Sequence, residues 1–97
     1  MATYISLVRF TQKGAEEFKK TGQRAEEFKA KAKKAGVKVK AVFWTLGQYD
    51  GVLLLEAADD DSVAAALLSL SSLGYVTTST LRAFTFEEIE AIIAKAP

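Results

Sequence analysis

The chain has 97 residues, 49% hydrophobic and 26% charged, with a net charge of +1 and neither cysteine nor histidine. That length makes one domain, 1–97, and the composition is that of a globular chain rather than a disordered one. Lacking thiol and imidazole, the chain can build no disulfide, zinc site, haem–histidine ligation or Ser-His triad. Any catalysis would fall to carboxylates, Lys, Arg, Tyr or a borrowed cofactor, so enzymatic activity is left open and no cofactor is predicted.

No apolar run approaches the roughly 20 residues of a membrane span. The opening residues carry no basic region and alternate as a strand does, so no signal peptide is expected and the cytoplasm is the expected location. Charge is unevenly placed. Residues 1–50 hold 11 Lys/Arg against 5 Asp/Glu, and residues 51–97 hold 2 against 7. Such asymmetry suits an anion-binding face or two ends of a molecule that attract a neighbour, although a solvated lysine-rich helix explains it as simply.

Residues 3–10 alternate with period two, Ile5 and Leu7 on one face and Tyr4, Ser6 and Val8 on the other, which predicts a strand. A helical region follows over 12–35. It repeats Ala-Glu-Glu-Phe-Lys at 15–19 and 25–29. An offset of ten residues leaves Phe18 and Phe28 about 80° apart on a continuous helix, so a break is expected between them. Thr21-Gly22 supplies it, with Thr as a cap and Gly as a weak interior residue. The expectation is a short helix near 12–20 and a longer one near 22–35. The second buries Ala25, Phe28, Ala32 and Ala35 and is closed by Gly36.

Residues 37–46 read as a second strand, with Val37, Val39, Ala41 and Phe43 on one face. Gly47 to Gly51 forms a hairpin loop, and 52–57 an antiparallel third strand. Asp59 to Ser62 opens a helix with the inward stripe Val63, Ala66, Leu67 and Leu70, ended by Gly74. A fourth strand spans 76–84. Thr85 and Glu88 then form a capping box for a last helix through Ile89, Ile92 and Ile93.

The order β-α-β-β-α-β-α predicts an α+β, ferredoxin-like fold: a four-stranded antiparallel sheet, strand order 4-1-3-2, with helices on one face. The other face should then carry Ser6, Val8, Val42, Trp44, Leu54, Glu56, Thr78, Thr80 and Arg82. A Trp and several aliphatics open to water make a large apolar patch for a monomer, and pairing two such sheets face to face would cover it. A homodimer or higher oligomer is therefore expected, of the dimeric α/β-barrel type.

The stretch Trp44-Thr45-Leu46-Gly47-Gln48-Tyr49-Asp50, then Leu55-Glu56-Ala57 with Asp59-Asp60, and the run from Leu73 to Thr85 together resemble the GYD domain family. The name motif appears as Gly47 and Tyr49-Asp50, with Gln48 between. The resemblance runs over nearly the whole chain. It implies small bacterial or archaeal proteins with a ferredoxin-like, dimeric α/β-barrel fold, and it implies no established activity.

Tyr49-Asp50, beside Trp44, could orient a small polar ligand or act as an acid–base pair; equally, Asp50-Gly51 is turn chemistry. Arg82, with Thr78 and Thr80, could bind a carboxylate or phosphate, or form a structural pair with Glu56. Asp59-Asp60-Asp61 suggests a hard-metal cluster, but three carboxylates at a helix start are what capping and the helix dipole favour, so no metal is expected. Gly14 to Thr21 departs from a phosphate-binding loop, since Lys19 replaces the second Gly and two glutamates would face the phosphates. Nine lysines between 13 and 40 and the sheet scaffold raise RNA binding. The open-face positions of the central strands, read as Ser6, Val8, Val52 and Leu54, lack the aromatics this needs. The resulting reading is a homo-oligomeric barrel binding a small polar or anionic ligand at Trp44, Tyr49, Asp50, Thr80 and Arg82. A dimeric-barrel enzyme of oxygenase or isomerase type and a purely structural assembly module are the alternatives. No membrane or nucleic-acid partner is expected.

Overall fold

The computed structural model describes residues 1–97. Its elements are β1 (Ala2–Phe10), α1 (Gln12–Glu16), a 3₁₀ turn (Phe18–Lys20), α2 (Thr21–Lys34), β2 (Val37–Trp44), β3 (Gly51–Ala57), α3 (Asp60–Ser72), β4 (Val76–Ala83) and α4 (Phe86–Ile93). The strands form one sheet in the order β2-β3-β1-β4, and β1 pairs antiparallel with both β3 and β4, as β2 does with β3. This is the expected α+β, ferredoxin-like topology.

Local chemistry sets the boundaries. The Asp59 carboxylate accepts from the Ser62 N–H at 2.8 Å to cap α3. Thr85 and Glu88 make the reciprocal capping box of α4, and Gly36 and Gly74 adopt the left-handed conformation that ends α2 and α3, at φ 83° and 84°. The break between the two phenylalanines is present as the 3₁₀ turn, yet it does not bring both inward: Phe28 is 6% exposed and Phe18 54%. Thr21 begins α2 without capping it. Its hydroxyl instead accepts from the Trp44 indole N–H at 2.9 Å.

The helices cover one face of the sheet, and the side chains that meet them are not the expected set. Tyr4, Ser6 and Val8 of β1 are buried together with Leu53, Leu55 and Ala57 of β3, under Phe28 and Ala32 of α2 and Val63, Ala66 and Leu67 of α3. Cross-strand register places Thr78, Thr80 and Arg82 beside Val8, Ser6 and Tyr4, hence on the same face. In β2 the register slips between Val39 and Ala41, so that Lys40 is an extra residue. A one-residue bulge inverts the side-chain parity beyond it. Val37 and Val39 face the helices before the bulge, and Val42 and Trp44 face them after it. Of the residues expected on the bare face, Ser6, Val8, Val42, Trp44, Thr78, Thr80 and Arg82 therefore belong to the covered one; Leu54 and Glu56 remain.

The bare face is nevertheless apolar. One cross-strand row reads Ala41, Leu54, Ile5, Leu81 and the next Phe43, Val52, Leu7, Ser79, with Phe43 62% and Leu81 51% exposed. A molecule measuring 49 × 31 × 18 Å has the thickness of one sheet and one helix layer, with nothing behind the sheet.

Two caps carry a pH signature. The Ser62 N–H holds Asp59 below the ordinary carboxylate range, and the Thr85 N–H does the same for Glu88, aided by the Thr85 hydroxyl and Arg82 against partial burial. The unfolded chain then binds more protons in acid, so the stability these caps contribute is full above the unfolded carboxyl values, from about pH 5 upward, and is lost as pH falls through the depressed folded values. Carboxyl NMR titration should find Asp59 and Glu88 among the last to protonate on acidification. Thr85→Ala removes the hydroxyl but keeps the backbone N–H, so it should raise Glu88 only part of the way toward the ordinary value and leave Asp59 unchanged.

Candidate functional site

The sequence motifs converge on one end of the sheet, where the β2–β3 loop meets the start of α2. A cavity of about 70 Å³ lies there, walled by Val8, Phe28, Val42, Trp44, Leu53 and Val76, with Thr21, Arg24, Asp50 and Tyr75 also contributing to its lining. Trp44 and Asp50 meet at this cavity. Tyr49, Thr80 and Arg82 lie elsewhere.

Each of the five expected site residues has a partner within the fold. The Asp50 carboxylate accepts from the Phe10 N–H at 2.8 Å, while its own N–H donates to the Val8 carbonyl at 2.8 Å. Asp50 thereby ties the hairpin to the end of β1. The Tyr49 carbonyl accepts from the Thr45 hydroxyl at 2.6 Å, and its ring lies under the Arg9 guanidinium at 5.3 Å. Trp44 is held by Thr21. Thr80 and the wholly buried Ser6 share a hydroxyl–hydroxyl bond of 2.9 Å. Arg82 reaches the carbonyls of Thr3 and Ala83, stacks on Phe84 at 4.5 Å and pairs with Glu88 at 3.5 Å. Its carboxylate partner is thus the α4 capping residue. Glu56, on the opposite face, pairs with Lys40 at 3.9 Å.

Two clusters escaped the sequence reading. Tyr4 donates from its phenol to the Asp60 carboxylate and lies 5.6 Å beneath Arg82; the bond to Asp60, with burial, pushes the phenol pKa up. Asp59 and Asp60 therefore turn to different partners, one to a helix cap and one to a strand. The second cluster is Tyr75, clamped between Lys13 at 4.4 Å and Arg24 at 4.1 Å. Its carbonyl sits where a side chain on Gly14 would be: a Cβ there would come within 2.0 Å of it. No motif signals either cluster, because each is made by residues far apart in sequence.

A family model described as the GYD domain matches residues 4–93. The chain belongs to the GYD domain family. A Thermus thermophilus protein named "Glutamine synthetase and cystathionine beta-lyase binding protein" is 39% identical over 92 residues, covering 94% of this chain and 97% of the relative. The crystal structure of TTHA0845, also from Thermus thermophilus, superposes with a TM-score of 0.57 at 25% identity, over 88% of this chain and 95% of that one. A homoserine dehydrogenase from Thiobacillus denitrificans gives a TM-score of 0.57 at 18% identity; 84% of this chain matches 17% of that enzyme, a likeness of fold alone.

In this GYD domain the name motif has a structural role. The Asp50 carboxylate and amide fasten the loop to β1, and the backbone of Tyr49 anchors Thr45. The hydroxyl pair of buried Ser6 and exposed Thr80 gives a sharp test of the sheet. Thr80→Val should cost about 1–3 kcal/mol in denaturant unfolding, because it strands the Ser6 hydroxyl in the core. Ser6→Ala added to it should restore part of that loss.

Proposed function

We propose that this GYD domain is a non-catalytic, cytoplasmic binding module that pairs with itself through the bare sheet face and docks a partner enzyme. The observation that carries the reading is the relative matched along 97% of its length and named for binding two enzymes. The geometry favours the same conclusion over its rivals. The cavity beside Trp44, about 70 Å³, is several-fold smaller than the roughly 300–1,000 Å³ of metabolite pockets. The larger hollow between α2 and β2, about 650 Å³, is an open surface groove rather than an enclosing pocket. The lining of the smaller cavity sets one carboxylate, Asp50, against one cation, Arg24, which is engaged by the Glu17 carbonyl and the Tyr75 ring, and Arg82 is already satisfied by Glu88 and two carbonyls.

Acid–base catalysis needs groups tuned toward neutral pH. Here the shifts run the other way: Tyr4 is pushed up, and Asp59 and Glu88 are held down. Protein association needs neither a deep cavity nor a tuned base, only complementary surface. The rows Ala41-Leu54-Ile5-Leu81 and Phe43-Val52-Leu7 supply it for a second copy, and oligomerisation adds the burial a chain of this length lacks.

Purified protein mixed with glutamine synthetase and with cystathionine β-lyase from the same organism should form a complex with at least one of them, with a Kd of about micromolar or tighter by calorimetry. No heat and no co-elution with either enzyme would overturn the partner reading. Sedimentation should show a dimer, and Leu54→Glu with Leu81→Glu should return it to monomer with its circular dichroism intact.

A further inference from the structure

The bare sheet is small for the task it is given. Four strands about 4.8 Å apart and about eight residues long give a flat footprint of roughly 500 Å² per copy, so an element that extends the contact beyond the sheet would strengthen a pair. Among the α-helices, α4 is the one free to do so. None of its residues is buried, and Phe86, Ile89, Ile92 and Ile93 are 77%, 39%, 40% and 58% exposed. Helical spacing puts these four on one stripe, with Glu90 beside it and Glu87 beyond.

Strand register shows where a second copy would offer a berth. Ala83, the last residue of β4, lies in one cross-strand row with Thr3, Glu56 and Lys38. The end of β4 and the start of β2 are thus the opposite edges of the same end of the sheet. When two such sheets stack face to face about a twofold axis along the strands, the β4 edge of each lies over the β2 edge of the other. The row is preserved, so α4 leaves its own sheet beside the partner copy's Lys38. At that edge an open groove runs between α2 and β2, with a volume of about 650 Å³. Ala30, Val39 and the nearly buried Val37 are the apolar part of its lining, and Lys29, Lys33 and Lys38 the cationic part, with Glu26 the single acid among them.

We propose that α4 is an exchanged arm: in the homodimer it wraps the β2 edge of the second copy and seats its isoleucines in that α2–β2 groove. Glu87 and Glu90 meet the lysines there. The arm rests on the self-pairing reading, and it gives the opposite charges of the two halves of the chain a common purpose. It also shields β2, the edge whose unpaired backbone would otherwise recruit stray strands. The capping box and the Arg82–Glu88 pair fix the direction in which α4 leaves β4, so the arm is aimed before it docks.

A cysteine-free chain makes the test clean. Ile93→Cys in one tagged population and Lys33→Cys in another, mixed and mildly oxidised, should form the mixed disulfide dimer about tenfold faster than Ile93→Cys mixed with Ser69→Cys on α3. Equal rates overturn the arm. Glu87→Lys with Glu90→Lys should raise the dimer Kd about tenfold, and Lys33→Glu with Lys38→Glu in the same chain should recover most of that loss. A dimer that sediments normally yet shows neither effect overturns the arm and leaves sheet pairing standing. A monomer at every micromolar concentration overturns both.

Discussion

A sheet with apolar side chains on both faces and helices on only one is the constraint on which the molecule turns. Tyr4, Val8, Leu53 and Leu55 meet α2 and α3, while Ile5, Leu7, Val52 and Leu54, the residues between them, point the other way. Burying one set leaves the other in water, at a cost of about 25 cal/mol per Å² of apolar surface that could have been covered. A chain of this length has no further element to spend on the second face, since α4 leaves the sheet altogether. The fold is therefore a half-built sandwich in energetic terms, with an apolar face that its own layers leave uncovered.

How much of this was legible depended on what each signal encodes. Helix ends were readable because capping is local: Asp59, Thr85 with Glu88, Gly36 and Gly74 announce themselves within four residues. Strand positions and order were readable for a similar reason, through alternation and turn residues. Sheet faces were not. Alternation assigns faces only when one set is polar, and here β1 alternates Ile5 and Leu7 with Tyr4, Ser6 and Val8. The more apolar pair looked like the core, yet Ser6 is wholly buried because Thr80 supplies its hydrogen bond across the strand. In β2 the bulge at Lys40 reverses parity with no composition cue, since Lys is as ordinary in a regular edge strand as in a bulge. It carried Trp44 to the covered side.

The candidate site shows the same division between local and long-range signal. Asp50-Gly51 was readable as turn chemistry, and its carboxylate does cap the end of β1. Arg82 was readable as needing a carboxylate, and the sequence pointed to Glu56, whereas the structure supplies Glu88. Only the side of the sheet decides between them. Tyr75 between Lys13 and Arg24 brings together three segments whose proximity no spacing rule predicts.

The single tryptophan has a consequence of its own. Trp44 ends β2, lines the small cavity and donates its indole N–H to the first residue of α2. One intrinsic fluorophore thus spans the joint between the helix layer and the strand edge, half exposed to water. Its emission wavelength is a natural gauge of how firmly α2 is seated, readable without a label and free of competing indoles.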